Sequence, residues 1–544
     1  MDQRLESRLE EKVPMIKSFK TLSLIACLCV AMYSAATASA QVKPASLFSD
    51  HMVLQNGMAV PIWGTADPAE RITIKFNGQT RSATADATGK WMLRLTKLKA
   101  GGPFEMTIAG NKAGETTIVV KDVLVGEVWL GSGQSNMDFT VGTTTRHYFA
   151  GVKNEAEEVA AANYPNIRMF TGGWKNSYEP QSDVSGSWLL VTPETVKEMS
   201  AIGYLFARDM QKELKVPFGI ITEAFGASTA EAWTSREALA AEPQLKPLLE
   251  AFDAQVTAYK ANPPDMTAAL KAWQEAADKA KADGKAAPRR PGSRNPVQDQ
   301  HNPTVMYNGM IAPVIPYAIR GVLWYQGEAI NGGATGYKLY PELQATLIKD
   351  WRQRWGEGAF PFYICQLAPL KPWPNRPDTW YNNPDVREAQ ATVLSLSNTG
   401  MAVTIDIGDP VNIHPKDKQD VADRLTRIAL AKTYGRKMEY SGPMYDSMKV
   451  EGNSIRIKLT HVTGGLVAKD GDLKTFVIAG KDGKFVPATA RIDQDTLVVS
   501  SPDVAEPAAV RYAWDNYPEG ANLFNGDGVP AAPFRTDKWE HEPQ

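Results

Sequence analysis

The stretch Val123-Leu-Val-Gly-Glu-Val-Trp-Leu-Gly-Ser-Gly-Gln-Ser-Asn-Met137 decides the fold. A β-branched, apolar run breaks off into small and polar residues. That is the pattern of a buried strand of a parallel sheet entering a tight turn. In open α/β sheets, ligand sites lie outside the carboxyl ends of the strands. Ser135 stands at such an end, and Gly131 and Gly133 let the backbone bend sharply there. Ser135 is therefore a candidate nucleophile. Its surroundings differ from the G-x-S-x-G elbow, because the fifth residue is Met137. Alone, Gly-Ser-Gly-Gln-Ser-Asn reads equally well as a plain turn. The ends of the other apolar runs decide between the two.

Working outward, strand-like and helix-like runs alternate, which implies a parallel α/β sheet. Lys197 to Leu214 reads as a helix, with Ile202, Leu205, Phe206 and Met210 on one face. Phe218-Gly-Ile-Ile221 follows as a strand running into Thr222-Glu-Ala-Phe-Gly-Ala-Ser-Thr229. Ile319 to Tyr325 is a third strand, ending in Gln326-Gly327-Glu328. Leu339, Leu343, Leu347 and Trp351 mark the next helix. Further strands surround Tyr363-Ile364, ending in Gln366, and run from Met401 to Ile405, ending in Asp406-Ile-Gly-Asp409.

This core spans residues 122–440, with a helical insertion at 238–296 rich in Ala, Lys, Glu and Gln. Short alternating runs such as Arg71-Ile-Thr-Ile-Lys-Phe76, separated by turns such as Asn77-Gly78, make residues 41–121 β-rich. Ser454 to Leu459 and Thr496 to Ser500 do the same for residues 441–544. Sandwich-like flanks are the expected form.

The chain has 544 residues, 43% of them hydrophobic and 22% charged, an ordinary globular balance. A net charge of -2 argues against a nucleic-acid surface. Residues 1–40 read as a signal peptide: Lys17 and Lys20 precede the apolar run Thr21–Met32, and Ala38-Ser39-Ala40 fits a cleavage site. Export to the periplasm or the exterior is expected. Leu24-Ile25-Ala26-Cys27 resembles a lipoprotein box, but the apolar run before Cys27 is short, so lipid anchoring is disfavoured. No later segment has the length and hydropathy of a membrane span. Cys365 alone remains after the leader and sits in an apolar strand, so no internal disulfide forms.

An acyl-transfer serine needs a base. Of the six histidines, only His414 falls just past a sheet strand. Pro415 suits the first turn of a helix, and a histidine at a helix N-terminus is held neutral by the dipole. Oxyanion donors are expected from the Ser135 and Gly226 amides and the Gln326 side chain, each following a different strand. The carboxylate orienting His414 is open among Asp409, Asp406 and Glu328. No metal spacing is found, and no organic cofactor is required.

Val125-Gly-Glu-Val-Trp-Leu-Gly-Ser-Gly-Gln-Ser-Asn-Met137, Trp324-Tyr-Gln-Gly-Glu328 and Ile413-His-Pro-Lys-Asp-Lys418 resemble the sialate O-acetylesterase family of the SGNH hydrolases. Phe48 to Gln55, Met306 to Pro313 and Val510 to Trp514 extend the similarity over nearly the whole chain after the leader, the insertion excepted. The resemblance implies an SGNH-type three-layer α/β/α hydrolase core between β-rich flanks. It also implies removal of acetyl groups from sialic acid or sialoglycans. Carried over by position, Ser135 is nucleophile, His414 is base, and Gly226 and Gln326 occupy oxyanion positions. The superfamily's aspartate three residues before the histidine is Val411 here, and the acid two before it is Asn412. Asp409 is ranked above Glu328 as the third member, and a Ser–His dyad is the remaining option.

Two other readings stand beside this one. The Gly-Gln-Ser-Asn and Gln-Gly-Glu signatures also resemble esterases of acetylated xylan. The fourteen tryptophans and the β-rich flanks suit a non-catalytic carbohydrate-binding protein with a hydrolase-like core.

Overall fold

The structure, a computed structural model, describes residues 41–539 except 146, 289, 293–294, 331–335 and 375–382. The expected signal peptide lies outside the described residues. The organising stretch forms strand β1 (Ile118–Gly133), sixteen residues long. It is the axis of a mixed sheet. Around it stand β2 (Tyr164–Thr171), β3 (Trp188–Val191), β4 (Phe218–Ala224), β5 (Gly321–Tyr325), β6 (Phe362–Cys365) and β7 (Thr399–Ala402). Their order is β3-β2-β4-β1-β5-β6-β7. Every neighbouring pair is parallel except β3 with β2 at the edge.

Side chains of these strands point alternately into two apolar clusters, as the period of two requires. Trp129, Ile220, Leu323 and Tyr363 face one side. There they pack with Ile202, Leu205 and Phe206 of α2 (Ala201–Leu214) and Val421, Leu425 and Ile428 of α5 (Lys418–Lys432). Val128, Leu130, Val322 and Trp324 face the other side, with Leu343, Leu347 and Trp351 of α3 (Gly336–Trp355). Burial of each large side chain there stabilises by roughly 1.5–3 kcal/mol. The near-continuous apolar runs that announced the strands follow from cover on both faces.

β1 does not begin at residue 122. Its first half pairs with Gly101–Ala109 and Val53–Gln55, joining the N-terminal strands to the same eleven-stranded sheet. The sequence pattern changed at Val123 because burial on both faces starts there, while the strand itself starts earlier. In the insertion, helices Arg236–Ala241, Lys246–Ala261 and Thr267–Ala282 form, and Phe252 and Val256 are buried. Beyond α5 the chain returns to antiparallel sheets, including Met444–Glu451 with Ser454–Thr460 and Phe476–Ala479 with Ala509–Tyr512. Arg387, in α4 (Asn383–Ala391), ties this region to the core. It is fully buried and donates to the carbonyls of Leu367, Asp515 and Asn516.

Candidate active site

Gly133 is paired with both Ala224 and Tyr325, so β4, β1 and β5 end side by side. Their ends are stitched together: the Phe225 amide donates to the Gly133 carbonyl (3.0 Å) and the Gln134 amide to the Tyr325 carbonyl (2.9 Å). Gly133 has φ of +131°, and a Cβ there would lie 2.2 Å from the Tyr325 oxygen. Only glycine permits this approach. The chain then turns into the short helix α1 (Ser135–Asp138), which places Ser135 at the crevice.

There Ser135 Oγ meets His414 Nε2 at 2.8 Å across 279 residues of chain. Gly226 adjoins them: a Cβ at Gly226 would lie 3.7 Å from Ser135 Cβ. The His414 ring stacks on Phe149 with centroids 4.3 Å apart, and its backbone amide donates to Asn412 Oδ1 at 2.9 Å. Burial, and secondarily the Lys418 ammonium, push its pKa down to about 4. The imidazole is thus neutral at ordinary pH, as expected, but for another reason. α5 starts at Lys418 with Asp417 as its cap, so His414 lies outside the helix and the dipole argument does not apply.

The expected orienting acids are elsewhere. Asp409 Oδ1 accepts from the Val411 and Asn412 amides and so shapes its own loop. Asp406 is held in a two-pronged pair with Arg424. Glu328 is half-buried and accepts from the Asn136 amide. Among the described residues no carboxylate pairs with the His414 ring, whereas His51, His147, His301 and His461 each pair with one. The Gln326 expectation is also corrected. Its Nε2 donates to the carbonyls of Ser228 (3.2 Å) and Ala329 (2.7 Å), and its Oε1 accepts from Tyr340 (2.6 Å). Both amide protons are committed to the scaffold, leaving Ser135 and Gly226 as the backbone candidates for an oxyanion.

Beneath the Ser–His pair lies a network that sequence reasoning passed over. Asn136 Oδ1 accepts from the Lys418 ammonium at 2.6 Å, and its Nδ2 donates to Glu328 and to the Ile413 carbonyl (3.0 Å). One amide therefore ties the residue after the nucleophile to the residue before the base. Lys418 is fully buried, its pKa pushed down to about 7 by burial, and its ammonium lies over the Phe139 and Tyr325 rings. Burial raises the Glu328 pKa. The clue was present: Lys418 occupies the apolar stripe of Val421, Leu425 and Ile428, where a cation needs partners.

Residues 296–430 match the family described as carbohydrate esterase, sialic acid-specific acetylesterase. That segment holds Gln326, Glu328 and His414 but not Ser135. The solved carbohydrate acetylesterase from Xanthomonas citri superposes with a TM-score of 0.75 at 34% identity, covering 92% of this chain and all of that one. The chain belongs to the sialate O-acetylesterase family of carbohydrate esterases. It is thereby a carboxylic ester hydrolase. The sialate O-acetylesterase of Rattus norvegicus is 29% identical over 90% of this chain and 93% of its own. That of Homo sapiens is 28% identical over 90% and 91%. Among the described residues no helix is long and apolar enough to cross a membrane.

Proposed function

We propose that this family member is a serine esterase that removes O-acetyl groups from sialic acids. The observation that carries the reading is the 2.8 Å contact between Ser135 Oγ and His414 Nε2 over the strand ends. Ser135 Oγ attacks the acetyl carbonyl carbon while its proton passes to His414 Nε2. The Ser135 and Gly226 amides stabilise the oxyanion. Collapse releases the sugar alcohol, which takes the proton from His414, and leaves an acetyl-enzyme. Water then gives His414 a proton and attacks the acetyl carbon; the bond from Ser135 Oγ to that carbon breaks, Ser135 takes the proton back from His414, and acetate leaves.

The pair works as a Ser–His dyad: Phe149 stacks on the imidazole and Asn412 fixes the His414 backbone, in place of an orienting Asp409 or Glu328. Removing an orienting acid leaves substantial catalysis in related machinery. The six parallel strands, with apolar helices packed on both sides, support an SGNH-type three-layer core over about residues 122–440. The β-rich regions 41–121 and 441–544 are its flanks. The leader pattern in residues 1–40 supports export.

Acetate release from O-acetylated sialic acid tests the reading. Ser135→Ala is expected to fall at least a thousandfold in kcat; near-normal turnover refutes the assignment. Acetylated xylo-oligosaccharide is assayed in parallel, and a clear preference for it moves the substrate to acetylated xylan. Sugar binding without turnover or fluorophosphonate labelling of Ser135 supports a non-catalytic binding protein.

A further inference from the structure

Aromatic rings close a circuit around the Ser–His pair. Phe149 stacks on His414 at 4.3 Å and meets His147 edge-on at 5.7 Å. His147 meets Trp174 at 5.9 Å, and Trp174 leans on Phe225 at 5.1 Å. Phe225 precedes Gly226, which adjoins Ser135. The hydrolytic step uses Phe149 only as the face against which the imidazole rests, and uses none of the rings His147, Trp174 and Phe225.

Two members are held in place by polar contacts. Trp174 Nε1 donates to the Ala224 carbonyl at 3.1 Å, and His147 Nε2 pairs with Asp138 at 2.9 Å. Trp174 nevertheless leaves 44% of its surface in solvent, and Tyr148, set edge-on to Phe149, leaves 81%. A large aromatic face held in place yet left wet, as Trp174 is, with a second exposed ring close by, marks a binding surface.

His147 also lines a cavity of about 230 Å³, together with Asp138, Gly173, Ser185 and Thr222, and Gly173 precedes Trp174 in the chain. His147 Nδ1 and Thr222 Oγ1 are buried there without a hydrogen-bond partner. Buried polar atoms are rarely left unpaired. An apolar plate next to unpaired polar atoms complements a sugar, which has a C–H face and a rim of hydroxyls.

We propose that this collar is the sugar subsite of the esterase: the pyranose ring lies on Trp174, flanked by Tyr148, and its hydroxyls bond His147 and Thr222. The inference rests on the esterase reading above. The readout is the ratio of kcat/KM on O-acetylated sialic acid to kcat/KM on p-nitrophenyl acetate, which has no sugar. Trp174→Ala is expected to lower that ratio at least fivefold, chiefly through KM on the sugar ester. Trp174→Phe restores part of it, and Tyr148→Ala, at an exposed position, lowers it by a smaller factor. An unchanged ratio in both alanine variants, whether or not both rates fall together, overturns the subsite. A second measurement is independent of turnover. Calorimetry of free sialic acid with Ser135→Ala is expected to show binding that Trp174→Ala, added to it, weakens at least fivefold. Equal binding by the two proteins, or none by the first, overturns the proposal even if the esterase reading stands. Loss of p-nitrophenyl acetate hydrolysis in Ser135→Ala tests that reading separately.

Discussion

Acidification probes the electrostatics of the Ser–His pair directly. The His414 imidazole has its pKa pushed down from 6.5 to about 4, mainly by burial and secondarily by Lys418. The two values lie about 2.5 pH units apart, equivalent to about 3 kcal/mol. The acid limb of kcat/KM reports the free enzyme's base. For p-nitrophenyl acetate it is expected to bend near pH 4, well below an ordinary histidine. Lys418, its own pKa pushed down to about 7, is charged throughout this range.

Lys418→Met keeps most of the side chain's length and removes the cation, so the bend moves upward towards 6.5. Because Lys418 is the smaller of two causes, the displacement stays below half of the interval, about 1.2 pH units. Stability follows the same sign. Below 6.5 the unfolded chain takes up a proton at this histidine and the folded chain does not. A contribution of at most about 3 kcal/mol is therefore present above pH 6.5 and lost as pH falls through about 4. Circular dichroism at each pH separates loss of the base from loss of the fold. A wild-type bend near 6.5, or a downward displacement in Lys418→Met, refutes the account.

Three further variants test the scaffold. Asn136→Ala strands Lys418, Glu328 and the Ile413 carbonyl at once, and should cost about 3–5 kcal/mol in urea unfolding; a loss below about 1 kcal/mol would show the network to be dispensable. Arg387→Met takes the donor from the carbonyl of buried Leu367 and from that of Asp515, while the Asn516 carbonyl keeps the Leu370 amide, and is expected to lower stability by about 1–3 kcal/mol; an unchanged urea midpoint contradicts its pinning role. Gly133→Ala forces a Cβ to 2.2 Å from the Tyr325 oxygen and should prevent soluble folding, whereas Gly292→Ala, with nothing within 4 Å, should leave the melting temperature unchanged.

Much of the positioning was legible in the chain because β1, β4 and β5 are covered on both faces and so read as unbroken apolar runs. That put Ser135, Gly226 and Gln326 at neighbouring strand ends without any knowledge of contacts. What a side chain does at such an end was less legible. Gln326 looks like a donor aimed outward, yet its partners are the carbonyls of Ser228 and Ala329, the first almost a hundred residues away. Asp409 is close to His414 along the chain, but amides two and three residues on satisfy it first, a local preference of aspartate in turns. Pro415 suggested a helix start, and Asp417 took the capping position instead. Lys418 was visible as a charge in an apolar stripe, but its partner Asn136 lies 282 residues away in sequence.

The sixteen-residue span of β1 also bears on modular descent. Its early residues belong to the outer ladder, and its last ones deliver the nucleophile. A cut at residue 121 severs a shared beam instead of freeing a detachable ornament. Grafting this catalytic framework onto another protein therefore requires taking the N-terminal strands with it, or supplying new partners for the exposed edge.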